Sequence, residues 1–237
     1  MLKTGAGFGC YASMILNPKK KYLQIALNSD LNEARDIIYR LPPSDRILIE
    51  AGTPLIKAYG TNAISYLRSY WQDKVGRVSL PYIIADLKTM DRGATEVSIA
   101  KSAGASAAVS LGLAPVETIN VFIDTCRKEG IDSMVDMMNV PYPVQILRKL
   151  KKMPDVVILH RGVDEENFNK NIPIPYIQIN KVLSSFKVLI SIAGGDTSRE
   201  AQRAIFNGAS IVIVWKEFYQ SSAQTGQLAA EFLKEIK

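Results

Sequence analysis

The stretch Ile83-Ile84-Ala85-Asp86-Leu87-Lys88-Thr89-Met90-Asp91 holds the residues best suited to chemistry. An apolar run stops abruptly at a carboxylate, an ammonium and a second carboxylate. If Tyr82 to Ala85 is a buried strand, Asp86 and Lys88 leave it on one side, because strand side chains alternate with a period of two. Asp91 then lies past the turn. Packing is a poor explanation for mixed charges at such a place, since Asp and Lys are seldom buried unless paired or metal-bound. Taken alone, the short pattern reads better as a solvated salt bridge on a loop, because such residues are common on surfaces.

These groups act together only if a fold converges them. From Tyr22 onward short apolar runs alternate with amphipathic segments. Leu23–Leu27, Ile47–Ile49, Tyr82–Ala85, Ala107–Ser110, Ser133–Asp136, Val156–Leu159, Val188–Ile192 and Ile211–Val214 read as strands. Between them the spacing predicts helices at Leu31–Arg40, Asn62–Tyr70, Thr95–Ala103, Val116–Lys128, Tyr142–Lys151, Tyr176–Ser185, Ser198–Asn207 and Ala223–Ile236. Ile119, Phe122, Ile123 and Cys126 mark one apolar stripe, three or four residues apart. Gly104, Gly130 and Gly208 stand where a left-handed C-cap is needed. Strand then helix, eight times over, predicts an α/β fold of the (β/α)8 TIM barrel type, with residues 22–237 as one domain and 1–21 as an N-terminal extension.

Barrels of this kind place their chemistry at the C-terminal ends of the strands. The residues there are Asn28, Glu50, Asp86 with Lys88, Ser110, Asp136 with Asn139, His160 with Arg161, Ala193-Gly194-Gly195, and Trp215 with Lys216. Glu50 and Asp86 follow neighbouring strands, so both carboxylates come within reach of one ion. Hard oxygen ligands and a water-rich shell suit Mg²⁺. The same residues read as well as a structural ion pair between Glu50 and Lys88. Lys88 places positive charge beside an oxygen that becomes anionic when a carbon–carbon bond forms or breaks. Asp86 and Asp91 keep it charged, which disfavours a Schiff base. His160 is the single histidine; after an apolar run it reads as a hydrogen-bonded core residue or as a neutral proton shuttle near pH 7. Gly194-Gly195, followed by Asp196, Thr197 and Ser198, supplies half of an anion cradle after the seventh strand.

Composition narrows the classes. With 47% hydrophobic and 22% charged residues in 237, the chain is an ordinary soluble one with room for one large core. The formal charge of +6 is scattered; the clusters Lys19-Lys20-Lys21 and Arg148-Lys149-Leu150-Lys151-Lys152 are short, and the second reads as a helix's polar face and last turn. No nucleic-acid partner is expected, and anionic small molecules fit the charge equally. Cys10 and Cys126, far apart with one histidine, make neither a zinc site nor a disulfide framework. A reducing cytoplasm is the default. No apolar run spans a membrane and no signal peptide is expected. Gly5-Ala6-Gly7-Phe8-Gly9 lacks a preceding strand and dinucleotide spacing, and reads as a flexible or cap-forming extension.

Leu23-Gln24-Ile25-Ala26-Leu27, Glu50-Ala51-Gly52-Thr53-Pro54-Leu55-Ile56, Ala85-Asp86-Leu87-Lys88-Thr89-Met90-Asp91, Met134-Val135-Asp136 and Ala193-Gly194-Gly195 together resemble the orotidine 5′-monophosphate decarboxylase superfamily. The wording is most similar to its 3-hexulose-6-phosphate synthase and 3-keto-L-gulonate-6-phosphate decarboxylase branch, where His-x-Gly-x-Asp follows the sixth strand, as in His160-Arg161-Gly162-Val163-Asp164. The resemblance implies Mg²⁺ at Glu50 and Asp86, holding an enediolate, and a phosphorylated ketose as substrate. It implies that Asp91 reaches the partner's site in a homodimer with composite active sites. Asp136 matches an acidic position and would orient substrate hydroxyls, with a plain loop hydrogen bond as the other reading. The implied activity is condensation of formaldehyde with ribulose 5-phosphate, or its reverse. Alternatives are decarboxylation of a β-keto sugar phosphate or of orotidine 5′-monophosphate, or a non-catalytic relative with an occluded phosphate site. Two positions depart from the pattern. Asn28 stands where the family has Asp, keeping hydrogen bonding without charge. Trp215-Lys216-Glu217 stands where it has Gly-Gly or Gly-Arg, so Lys216 would replace backbone donors to phosphate.

Overall fold

The computed structural model describes residues 14–169, 174–193, 197–214 and 224–236. Eight parallel strands close into a barrel in sequence order: β1 Tyr22–Leu27, β2 Ile47–Ala51, β3 Ile83–Thr89, β4 Ala107–Leu111, β5 Asp132–Asp136, β6 Val156–His160, β7 Leu189–Ala193 and β8 Ile211–Val214. Around them lie α1 Leu31–Arg40, α2 Thr53–Tyr59, α3 Thr61–Val75, α4 Gly93–Ser102, α5 Val116–Glu129, α6 Pro143–Leu147, α7 Val163–Phe168, α8 Tyr176–Leu183, α9 Ser198–Phe206 and α10 Thr225–Glu235. This is the (β/α)8 TIM barrel that the alternation implies.

Local sequence explains most boundaries. Asp30 caps α1 by accepting from the amides of Asn32 and Glu33, and Ala34, Ile37 and Ile38 bury one stripe. Burying each isoleucine contributes roughly 1.5–3 kcal/mol. Gly130 ends α5 with φ 67° and ψ 42°, a conformation that a Cβ disfavours. Two short helices go beyond the periodicity: α2, too brief to show a stripe and stopped at Gly60, and α7, which follows Gly162. The helix expected over Tyr142–Lys151 stops at Leu147. Its continuation tightens into i to i+3 turns, Lys149 bonding Ile146 and Leu150 bonding Leu147. The basic cluster therefore lies beyond the helix rather than in its last turn, with Lys152 paired to Asp124 at 2.7 Å.

The core has two shells. One fills the space between barrel and helices; the other fills the barrel itself. Followed around the barrel, the strand registers stack the inward side chains in layers drawn from alternate strands. Tyr22, Tyr82, Asp132 and Leu189 close the base. Gln24, Ile84, Met134 and Ser191 form a middle layer, and Glu50, Val109, Ile158 and Ile213 the layer above. Part of the N-terminal extension belongs to this core: Leu16 is buried in the barrel shell, and the amides of Ile15 and Leu16 donate to Asp132 at 2.7 and 3.1 Å. The glycine-rich stretch Gly5–Gly9 and Cys10 lie outside the described residues. Among the described residues, no helix is long and apolar enough to cross a membrane.

Candidate active site

A cavity of about 450 Å³ opens at the C-terminal rim of the strands. Its floor is the apolar part of the upper layer, Val109, Ile158 and Ile213, and its walls carry Asn28, Glu50, Asp86, Lys88, Asp136, His160 and Arg161. A larger groove of about 580 Å³ lies between α3 and α4. Its lining of hydroxyls, Ile99 and Ala103 includes no titratable side chain, so it offers no chemistry.

Lys88 reaches the pocket through an unusual backbone. The register between β3 and β4 shifts between Ala85 and Thr89, and Lys88 sits at φ 46°, in the left-handed region. Bulges beside active sites re-aim side chains, and such a conformation costs on the order of 1–3 kcal/mol. What offsets it is a pair of carboxylates. The Lys88 ammonium lies 3.0 Å from Asp86 and 3.1 Å from Asp136. Burial pulls its pKa down, but Asp86, Asp136 and Glu50 outweigh burial and hold it above the ordinary lysine value. The ion pair that forms is thus Lys88 with Asp86 and Asp136, rather than Lys88 with Glu50. The Thr53 hydroxyl, 2.8 Å from both the Asp86 carbonyl and its Oδ2, holds that carboxylate from the side.

Asp136 is the hub of the opposite wall. One oxygen, Oδ1, accepts from the Met138 amide at 2.9 Å; the other, Oδ2, lies 2.8 Å from His160 Nδ1 as well as meeting Lys88. Burial raises its pKa, but His160 and Lys88 outweigh that and the carboxyl ends below the usual value. The His160 imidazole shows the mirror image: burial lowers it, Asp136 raises it further, and the net is above 6.5. A carboxylate only accepts, so Nδ1 carries the proton and Nε2 is the nitrogen left for substrate. Asp136 thus favours the protonated ring more than in a free histidine.

Glu50 stands apart from this network. It is 7% exposed, and the Gln24 amide beneath it donates to its Oε2. Burial, then the negative charge of Asp86, pushes its pKa up to about 7 against the pull of Lys88 and Gln24. A cation between Glu50 and Asp86 would cancel that repulsion. Among the described residues no group of three or more His, Cys, Asp or Glu is arranged to hold a metal, so this is a two-carboxylate arrangement at most. Mg²⁺ fits such a set, because it keeps several waters and binds through one or two carboxylates plus substrate oxygens.

Other expected residues fall elsewhere. Asp91 is exposed, its carboxylate turned onto the Arg92 amide at 2.7 Å, and it lines a neighbouring recess with Lys57 and Glu96 rather than the main cavity. Ser110 is buried away from the pocket, and Asn139 sits behind His160 in a side cavity. Gly194, Gly195, Trp215 and Lys216 lie outside the described residues. Thr197 next to them uses its hydroxyl in a capping box with Glu200. Sequence reading passed over Gln24, Gly52 and Thr53. The first was hidden in a strand that reads as apolar. The other two stood in the Glu50–Ile56 motif, where Gly52 leaves room for Asn28: a Cβ there would meet Asn28 Oδ1 at 1.9 Å.

The family model for orotidine 5′-phosphate decarboxylase/HUMPS matches residues 21–230, the whole barrel that carries this pocket. The chain belongs to the orotidine 5′-phosphate decarboxylase/HUMPS family. Members of this family are carbon–carbon lyases and decarboxylases. Among its relatives, the bifunctional enzyme Fae/Hps of Methanothrix thermoacetophila is 40% identical over 221 residues, covering 91% of this chain and 53% of that protein. The Fae/Hps of Methanocella arvoryzae is 38% identical over 222 residues, with the same two coverages. The chain thus spans about half the length of the curated relatives it matches. The crystal structure of 3-hexulose-6-phosphate synthase from Salmonella typhimurium superposes with a TM-score of 0.78 at 27% identity, covering 91% of this chain and 98% of that one. That of 3-keto-L-gulonate-6-phosphate decarboxylase from Vibrio cholerae gives 0.72 at 23% identity, covering 92% and 98%, and shares the fold.

Proposed function

We propose that this chain is a 3-hexulose-6-phosphate synthase: a Mg²⁺-dependent aldehyde-lyase that condenses formaldehyde with ribulose 5-phosphate, or runs the reverse. The observation that carries this reading is the Lys88 ammonium fixed between Asp86 and Asp136, with His160 held on the same Asp136 in one small cavity. Such a site suits an intermediate whose charge develops on oxygen. Relatives named Fae/Hps and synthase structures of matching fold support the same choice.

In the forward direction C1 of the ketose loses a proton, C1 bonds the formaldehyde carbon, and the formaldehyde oxygen gains a proton. Asp86, whose carboxylate keeps an oxygen beyond any it would give to a cation, is the group available to the first proton. Lys88 stands by the enediolate oxygen, a contact whose loss typically costs on the order of 10²–10³ in rate. His160 Nε2 donates the second proton, with Asp136 fixing its tautomer and orientation. Glu50 and Asp86 would hold Mg²⁺, which supplies electrophilic stabilisation of the enediolate oxygens. Arg161 on the cavity wall, with the Gly194-Gly195 and Lys216 segments, would receive the phosphate, and Asn28 and Asp136 the sugar hydroxyls. A homodimer in the cytoplasm completes the reading, with the exposed Asp91 serving the partner's pocket.

The assay is formaldehyde consumption with ribulose 5-phosphate, with and without EDTA. Turnover that EDTA abolishes and Mg²⁺ restores is expected. Absence of turnover at high enzyme concentration, with no metal dependence, overturns the reading.

A further inference from the structure

Gln24 has no role in the reaction just described, yet it occupies the layer directly beneath the pocket floor and is fully buried. We propose that Gln24 is a positioning residue: its amide pins one oxygen of Glu50 so that the other faces an incoming divalent cation instead of turning onto Lys88. The proposal rests on the Mg²⁺ reading for its purpose, but its geometry stands alone.

Three observations support it. Gln24 shares its layer with Ile84 and Met134, positions that an aliphatic side chain fills without polar cost, so a buried amide there needs a compensating partner. Among the described residues its partner is Glu50, whose Oε2 takes the Nε2 hydrogen. The bond runs from the Gln24 NH₂ to Glu50, so the amide presents its NH₂ upward and Gln24 Oε1 is left buried with no partner among the described residues. An orphaned acceptor is a standing cost, tolerated here for the sake of the bond to Glu50.

Lys88 supplies the competing arrangement. Its ammonium has three hydrogens and bonds two carboxylates, so a third remains, and Glu50 already feels its charge. A carboxylate's terminal torsion is broad and roughly two-fold, so an unpinned Glu50 would turn toward that hydrogen. The pinned oxygen prevents this turn, which leaves Oε1 for a cation entering the pocket that Glu50 lines.

The test uses the full chain and Gln24→Met, which keeps the volume and removes the donor. Gln24→Asn, too short to reach Glu50, serves if the first variant fails to fold. Ser191→Ala is the control: it alters the other unpartnered polar group of the same layer without touching the Gln24–Glu50 bond. Calorimetric titration with Mg²⁺ is expected to show affinity about 10–100-fold weaker in Gln24→Met. Affinity in Ser191→Ala should be unchanged. kcat at low Mg²⁺ should fall in Gln24→Met and recover at high Mg²⁺, with KM for the sugar phosphate unmoved. A crystal structure of the metal-free variant should show Glu50 turned onto Lys88. Mg²⁺ affinity within about twofold of wild type, or Glu50 unmoved in the metal-free variant, overturns the proposal. If the unaltered chain binds no Mg²⁺, the functional reading fails instead, and the metal-free structure still decides the role of Gln24.

Discussion

Asp136→Asn isolates the charge at the hub of the site. The substitution keeps the shape and an acceptor for Nδ1–H, and removes only the negative charge. Asp136 Oδ2 lies 2.8 Å from His160 Nδ1. At an effective dielectric of about 20, a unit pair at that distance is worth about 6 kcal/mol, a ceiling of about four pK units. Relaxation of the wall and the remaining pull of Asp86 reduce the expected fall in the His160 pKa to about one to three units. The chain has one histidine, so NMR titration of its imidazole reads that fall without ambiguity. The alkaline limb of kcat/KM, which needs the proton on the ring, should move to lower pH by the same amount. The linkage has a definite sign. His160 is raised in the folded state, so its pairing stabilises fully below about pH 6.5 and is lost as pH rises through the folded value. Asp136 is depressed, so its share is present above the unfolded carboxylate value of about 3.9 and lost in acid. The variant should therefore be most destabilised between about pH 4 and 6.5, and less so above it. An imidazole that titrates within about 0.3 units of wild type would refute the assignment of Asp136 as its electrostatic partner.

Lys88→Ala should lower kcat on the order of 10²–10³-fold and leave Asp86 facing Asp136 unscreened; steady-state kinetics beside a melting curve separates the two effects, and undiminished kcat would remove Lys88 from the chemistry. Gly52→Ala puts a Cβ 1.9 Å from Asn28 Oδ1 and 3.0 Å from the Leu27 carbonyl, so KM for the sugar phosphate should rise roughly tenfold through the displaced Asn28, at a stability cost of about 1–3 kcal/mol. At the base, Asp132 accepts from Ile15, Leu16 and Tyr82, and burial pushes its pKa up to about 6. Asp132→Ala should release the segment ahead of β1, which hydrogen exchange at Ile15 and Leu16 would detect, and lower Tm by about 4–8 °C for a loss of about 2 kcal/mol, with KM unchanged. In metal-free protein Glu50, raised to about 7, should make stability fall as pH rises from about 4.5 to 7, because the unfolded chain binds fewer protons in that window. Denaturant titrations of wild type and Glu50→Gln across that range would show the slope disappearing in the variant.

What the chain alone determined is the barrel and its rim. Eight short apolar runs alternating with helices of period 3.6 predict the closed barrel, and that arrangement sends Glu50, Asp86, Lys88, Asp136 and His160 to the same end. The partners of those residues were decided only in three dimensions. Lys88 chooses Asp86 and Asp136 over Glu50 because a bulge and a left-handed backbone at Lys88 turn its ammonium toward β5, and no local pattern announces either. The His160 pKa is raised because Asp136, two dozen residues away, meets its Nδ1 at 2.8 Å. Gln24 became visible for the same reason: hydrogen bonds between neighbouring strands depend on register and on which way a side chain faces, and a strand's own sequence carries the second of these but not the first. Thr53, at the start of α2, meets Asp86 of β3 only once the barrel is closed.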